Sequence, residues 1–105
     1  VALNQDLDRL VVREWRDQQS GALSDFVVSQ QTLDSGSGKW RDVALVDAKH
    51  GSVHIHRYRK SGKEISRTEI SDYSTREQLE DIYRDIYDFV FDSWEENRRR
   101  WTSGR

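Results

Sequence analysis

Cysteine and proline are both absent from this 105-residue chain. Without cysteine there is no disulfide framework and no thiolate metal site. Without proline no strand or helix carries a built-in break. No apolar run approaches membrane-spanning length and no signal-peptide pattern opens the sequence, so the expectation is a cytoplasmic protein with no membrane partner. Hydrophobic residues are scarce, at 34%, and charged residues are as common, at 34%. A chain so composed leans towards disorder. Four Trp, four Tyr and three Phe pull it back towards a small folded core. The length suits one domain over residues 1–105, stabilised by a partner or by self-association.

The formal charge of −2 excludes a generic polyanion binder, but the charge is uneven. Residues 49–70 carry Lys49, Arg57, Arg59, Lys60, Lys63 and Arg67 against Glu64 and Glu69, six cations to two acids. Residues 77–96 are acidic and Arg98, Arg99 and Arg100 follow. Such polarity suits a basic face turned to something anionic, or subunits that attract one another.

Alternation predicts five strands at 9–17, 24–33, 39–47, 52–60 and 63–70, joined by short turns into an antiparallel meander. In "SDFVVSQQTL" Val27, Ser29, Gln31 and Leu33 fall on one side and Phe26, Val28 and Gln30 on the other. Gly51 in "AKHG" supplies a positive φ, and "SG" at 61–62 is a two-residue turn. The period then changes. "STRE" (74–77) predicts a capping box between Ser74 and Glu77. Leu79, Ile82, Tyr83, Ile86, Phe89, Val90, Trp94 and Trp101 recur at helical steps, predicting a helix over about 75–101. The fold class expected is α+β, a five-stranded sheet with one long C-terminal helix on a face. Trp15, Trp40 and Trp94 are assigned to the core. Tyr87, Phe91 and Trp94 widen the helix's apolar side, which fits a homodimer surface or this sheet's own core.

"HGSVHIHRYRKSGKE" (50–64) holds all three histidines. Val53 and Ile55 share one face of its strand, continued by Arg57 and Arg59, while His54, His56 and Tyr58 share the other. A turn pairing Lys60 with Lys63 sets His54 against Glu69, His56 against Arg67 and Tyr58 against Ile65. A carboxylate beside an imidazole orients the ring and raises its basicity, and Arg67 can stabilise developing negative charge. The same residues also make an ordinary solvated sheet face with cross-strand charge pairs.

Two further chemistries compete. His-x-His aims two imidazoles one way, with Asp47 or Glu69 as oxygen ligands. No third histidine follows, however, so no metal is assigned. Arg57, Arg59, Lys60, Lys63 and Arg67 around Tyr58 suit RNA, the tyrosine stacking a base, but alternation splits these cations between faces. No nucleophile elbow and no phosphate-binding glycine loop is present, so no cofactor is expected.

"WRDVALVDAKHGSVHIHRY" (40–58) followed by a helix resembles a pattern of small prokaryotic proteins in which a Trp–Arg strand leads to Asp, then His-Gly, then a strand with histidines. More distantly it is similar to the TumE family of toxin–antitoxin toxins. Those carry an aspartate, a glycine and an H-x-H-like stretch, then a helix opened by a phrase like "STREQL" (74–79). The matching positions are Asp47, His50, Gly51, His54 and His56. Ala48 stands where the family-like pattern has asparagine, and the glycine-to-histidine spacing differs. The resemblance implies a toxin neutralised by a small antitoxin protein, with nucleic-acid cleavage as its activity. The catalytic candidates are then His54, His56, Glu69 and Asp47, and the substrate-binding candidates Arg57, Tyr58, Arg67 and His50. A non-catalytic interaction module remains the alternative.

Overall fold

A computed structural model describes residues 2–4, 7–49 and 51–103. The strands are β1 (Ala2–Asn4), β2 (Asp8–Arg16), β3 (Leu23–Asp34), β4 (Lys39–Lys49), β5 (Ser52–Tyr58) and β6 (Glu64–Asp72), and α1 spans Arg76–Ser103. They form one antiparallel sheet in chain order, β1 to β6, with α1 packed chiefly across β3. The α+β architecture is the one the periodicity predicts. The sheet has six strands rather than five because β1, three residues long, adds to the outer edge of β2. Three residues are too few for alternation to register.

The alternation of β3 is resolved as expected. Phe26, Val28, Gln30 and Thr32 are fully buried beneath α1. They pack with Leu10, Ala44, Val46, Ala48, Val53 and Ile55 of the neighbouring strands and with Leu79, Ile86 and Val90 of α1, apolar area whose removal from water is the main stabilising term. The Phe26 ring sits 4.9 Å from that of Tyr83.

Polar groups register the helix along the sheet. Gln30 donates from Nε2 to the Trp94 carbonyl (2.8 Å), and its Oε1 accepts from Asn97 Nδ2 (3.2 Å). Arg98 Nε donates to Thr32 Oγ1 (2.9 Å) and Asp8 Oδ1 (3.2 Å). At the other end Arg16 forks onto both Glu80 oxygens, at 3.1 and 3.0 Å. Each polar atom so enclosed has a partner, the condition on which it can be buried at all.

Two local expectations are corrected. The cap is displaced by one residue: Thr75 Oγ1 accepts from the Gln78 N–H, and Gln78 Oε1 accepts from the Ser74 N–H. The pair satisfying the free donors is thus Thr75 and Gln78 rather than Ser74 and Glu77. Trp15 is not core. It is 48% exposed on the sheet face away from α1, because β2 keeps strand alternation to its end. Trp101 is the buried tryptophan instead, beneath the last helical turns.

Candidate functional site

β5 presents its two faces as the alternation demands. Val53 and Ile55 are buried under α1, while His54 and His56 stand on the open face beside each other, ring centroids 6.5 Å apart. Gly51 permits the preceding turn: its φ is +80°, and its carbonyl accepts from the Tyr73 N–H at 2.8 Å. His50 lies outside the described residues.

His56 is the centre of the cluster. Its direct ladder neighbours are Leu45 on β4 and Arg67 on β6. Two carboxylates reach it diagonally instead. Asp47 Oδ1, from beside His54, lies 3.1 Å from His56 Nε2, and Glu64 Oε1, from beside Tyr58, bonds to His56 Nδ1. Ionised carboxylates only accept hydrogen bonds, so satisfying both contacts takes either two N–H groups on the ring or a proton on one carboxylate. Asp47 is enclosed, with 12% of its side chain exposed, whereas Glu64 keeps 43% and is the partner free to swing away.

The Glu64 contact depends on a bulge. The expected pairing of His54 with Glu69 and His56 with Arg67 is observed. Beyond Arg57 the register shifts, so that Tyr58 faces Glu64 and not Ile65. An extra residue in one strand moves every later side chain to the other face. Glu64 therefore arrives on the histidine face, which regular alternation denied it. Glu69, by contrast, is exposed and makes no hydrogen bond or ion pair with His54. The carboxylates in contact with a histidine are Asp47 and Glu64, both on His56, while Glu69 lies opposite His54 without bonding to it.

His54 is bound differently. Its Nε2 lies 3.4 Å from Ser52 Oγ, and its Nδ1 is buried without any partner. Tyr58 flanks the cluster with its phenol pushed up by burial, and further by the carboxylates of Asp42, Glu64 and Asp47. Arg67 stands exposed across from His56. Arg57 does not join them. It lies between Ala44 and Ser66 on the helix side, since an odd step along the strand reverses the face. It cannot share a ligand with the imidazoles across the thickness of the sheet. Among the described residues no three His, Asp or Glu side chains are arranged to hold a metal ion.

Next to the histidines the open face is apolar at its floor. A groove of about 240 Å³ runs between Val11, Trp15, Val27 and Leu45, with Gln31 and Asp42 at its rim. Of its lining the sequence singles out only Trp15, and assigns that residue to the core. Tyr87 packs on the core and stacks on Phe91 at 6.5 Å; Phe91 and Phe89 are each 45% exposed, and Trp94 is half-buried. No helix among the described residues is long and apolar enough to cross a membrane.

A family model described as a domain of unknown function, DUF7718, matches residues 3–105, and the chain belongs to that family. No curated protein and no solved structure matches it.

Proposed function

We propose that this DUF7718 protein is a small RNA-directed phosphodiesterase of the toxin type, acting by metal-independent acid–base chemistry on the open face of its sheet. The observation that carries this reading is the pair of unlike imidazoles 6.5 Å apart. One is held by two carboxylates, and the other meets only the Ser52 hydroxyl, through its Nε2 at 3.4 Å.

The roles follow from the bonding. His54 takes the proton of a ribose 2′-hydroxyl as that oxygen attacks phosphorus. The P–O5′ bond breaks, and His56, freed from Glu64 and still oriented by Asp47, returns a proton to the leaving oxygen. The product is a 2′,3′-cyclic phosphate, and no external reactant is consumed. Arg67 meets the negative charge that develops on the phosphoryl oxygens, and Tyr58 stacks a flanking base.

The test is induced expression in bacteria of the wild type and of a His54→Ala/His56→Ala variant at matched soluble levels. Growth arrest by the wild type alone, with cleaved cellular RNA ending in cyclic phosphate, is the expected result. Equal arrest by both proteins, or by neither, overturns it. A second reading, an interaction module, is favoured by the exposed Phe89 and Phe91. It predicts that Phe91→Ala weakens self-association or antitoxin-like partner binding while the histidine variant binds normally.

A further inference from the structure

The groove on the open face begins where the histidine cluster ends. Leu45, on its floor, is the ladder partner of His56, and Val27 is the ladder partner of Asp47. One strand spacing, about 4.8 Å, therefore separates the imidazole strand from the near edge of the groove. Val11, Val27 and Leu45 make its floor apolar, and Trp15, 48% exposed, lines it with an uncovered aromatic surface. Its volume of about 240 Å³ falls below the roughly 300–1,000 Å³ of pockets for drug-sized ligands and suits a single planar heterocycle.

The rims carry opposite charges. Asp42 on β4 is exposed, and its Oδ1 accepts from Ser29 Oγ at 2.7 Å and from Gln31 Nε2 at 3.0 Å. Gln31 Oε1 accepts in turn from Arg9 Nε at 2.9 Å, and the Arg9 guanidinium lies 3.9 Å from the centre of the Trp40 ring. These bonds hold the carboxylate in place, while its Oδ2 has no partner among the described residues. Arg13, two strands away on β2, is exposed and makes no hydrogen bond or ion pair among the described residues. A fixed acceptor and a free guanidinium fork thus flank one apolar floor.

We propose that this groove is a nucleobase subsite selective for guanine. It seats the base next to the phosphate on which His54 and His56 act, a placement that rests on the function proposed above. Trp15 supplies a stacking surface that any base can use. Selectivity comes from the rims. An ionised carboxylate only accepts hydrogen bonds, so Asp42 asks for donors. Guanine offers it N1–H and the N2 amino group, and offers O6 and N7 to the Arg13 fork. Adenine places an acceptor, N1, where Asp42 needs a donor, and the pyrimidines have no N7 for the fork.

The experiment is calorimetric titration of the whole chain with thymidine hexamers carrying one central guanine, adenine or cytosine. Deoxyribose lacks the attacking 2′-hydroxyl, so binding is read apart from cleavage. The guanine hexamer should bind about tenfold more tightly than the others, or better. Asp42→Asn can still accept from Ser29 and Gln31 but presents an amide donor in place of Oδ2, so the preference should fall to about twofold or less. Trp15→Ala, at an exposed position, should weaken every hexamer about tenfold. Hexamers that bind alike, or a guanine preference that survives Asp42→Asn, overturn the proposal. So does a groove covered by a second copy, seen as a dimer in sedimentation that Trp15→Ala dissociates. RNA cleavage is scored separately. A guanine preference without cleavage of guanine-containing RNA keeps the subsite and removes the catalytic reading, whereas cleavage without any base preference does the reverse.

Discussion

β3 shows both faces of the sheet in one strand. Towards α1 it presents Phe26, Val28, Gln30 and Thr32, all fully buried; away from α1 it presents Val27, Gln31 and Leu33, only partly covered, and Ser29, buried and bonded to Asp42. The covered face excludes water, so polar groups there are few, and Gln30 is bonded to Asn97 and Trp94. The open face admits water, so ionisable groups gather there and bond diagonally across strands, as Asp47 and Glu64 do to His56. A chain with little apolar material has spent most of it on one side. That leaves the other side available for chemistry.

The comparison predicts unequal losses. Phe26→Ala removes a fully buried ring and should cost about 3–5 kcal/mol, enough to unfold a domain this small. Val27→Ala, one residue away on the open face, should cost about 1 kcal/mol or less. Urea denaturation measures both, and comparable losses would break the distinction between the faces. Next in size is Gln30→Leu. It leaves the Asn97 amide, 4% exposed, with only the longer contact to Ser93 Oγ at 3.4 Å, and should cost about 1–3 kcal/mol. Adding Asn97→Leu should recover part of that loss, because two apolar groups no longer demand a bond. A double variant as unstable as the sum of the two singles would show that the pair carries no coupling.

These contrasts mark what the sequence made legible. Strand alternation placed Phe26, Val28 and Gln30 opposite Val27, Ser29 and Gln31, and His54 and His56 opposite Val53 and Ile55, because a pleated strand leaves no other choice. The helix was legible from the spacing of Leu79, Ile86 and Val90. Glu64 was not. Its place beside His56 arises from an extra residue in β6, and "KEISRTEI" carries no glycine to mark a bulge. Trp15 misled for a related reason: an aromatic on a strand signals burial by type, whereas its face is decided by the neighbours that cover it.

On the open face the expected stability changes are smaller and the functional ones larger. Glu64→Gln touches a partner that is 43% exposed and should change stability by less than about 1 kcal/mol. Asp47→Asn, at an enclosed position, should cost more, about 1–2 kcal/mol, and under the proposed function should depress RNA cleavage by tenfold or more through a misoriented His56. Cleavage unaffected by Asp47→Asn would leave the carboxylate–imidazole contact a purely structural cross-link between β4 and β5.

The finest test lies where the two faces' habits mix, at Tyr83 on α1. Its phenol is pushed up to about 12 by burial and by its hydrogen bond to Glu14. Arg16 first, then Tyr83, hold the Glu14 carboxyl below its usual range. An unfolded chain releases a tyrosine proton near pH ~10, so between there and about 12 the folded chain holds a proton that the unfolded chain has lost. The stability this contributes is fully present below pH ~10 and drains away as the pH climbs through the folded value. Tyr83→Phe has no such proton to lose. The wild type's advantage over Tyr83→Phe should therefore shrink across that alkaline window. At the acid end, Glu14→Gln should lose to the wild type above the unfolded carboxylate pKa and draw level only as the pH falls through the lower, folded value. Urea midpoints for each pair across pH settle both slopes. A Tyr83→Phe difference that stays flat through the alkaline window would mean that the ring's packing on Phe26, and not its hydroxyl's bond to Glu14, is what α1 draws from this residue.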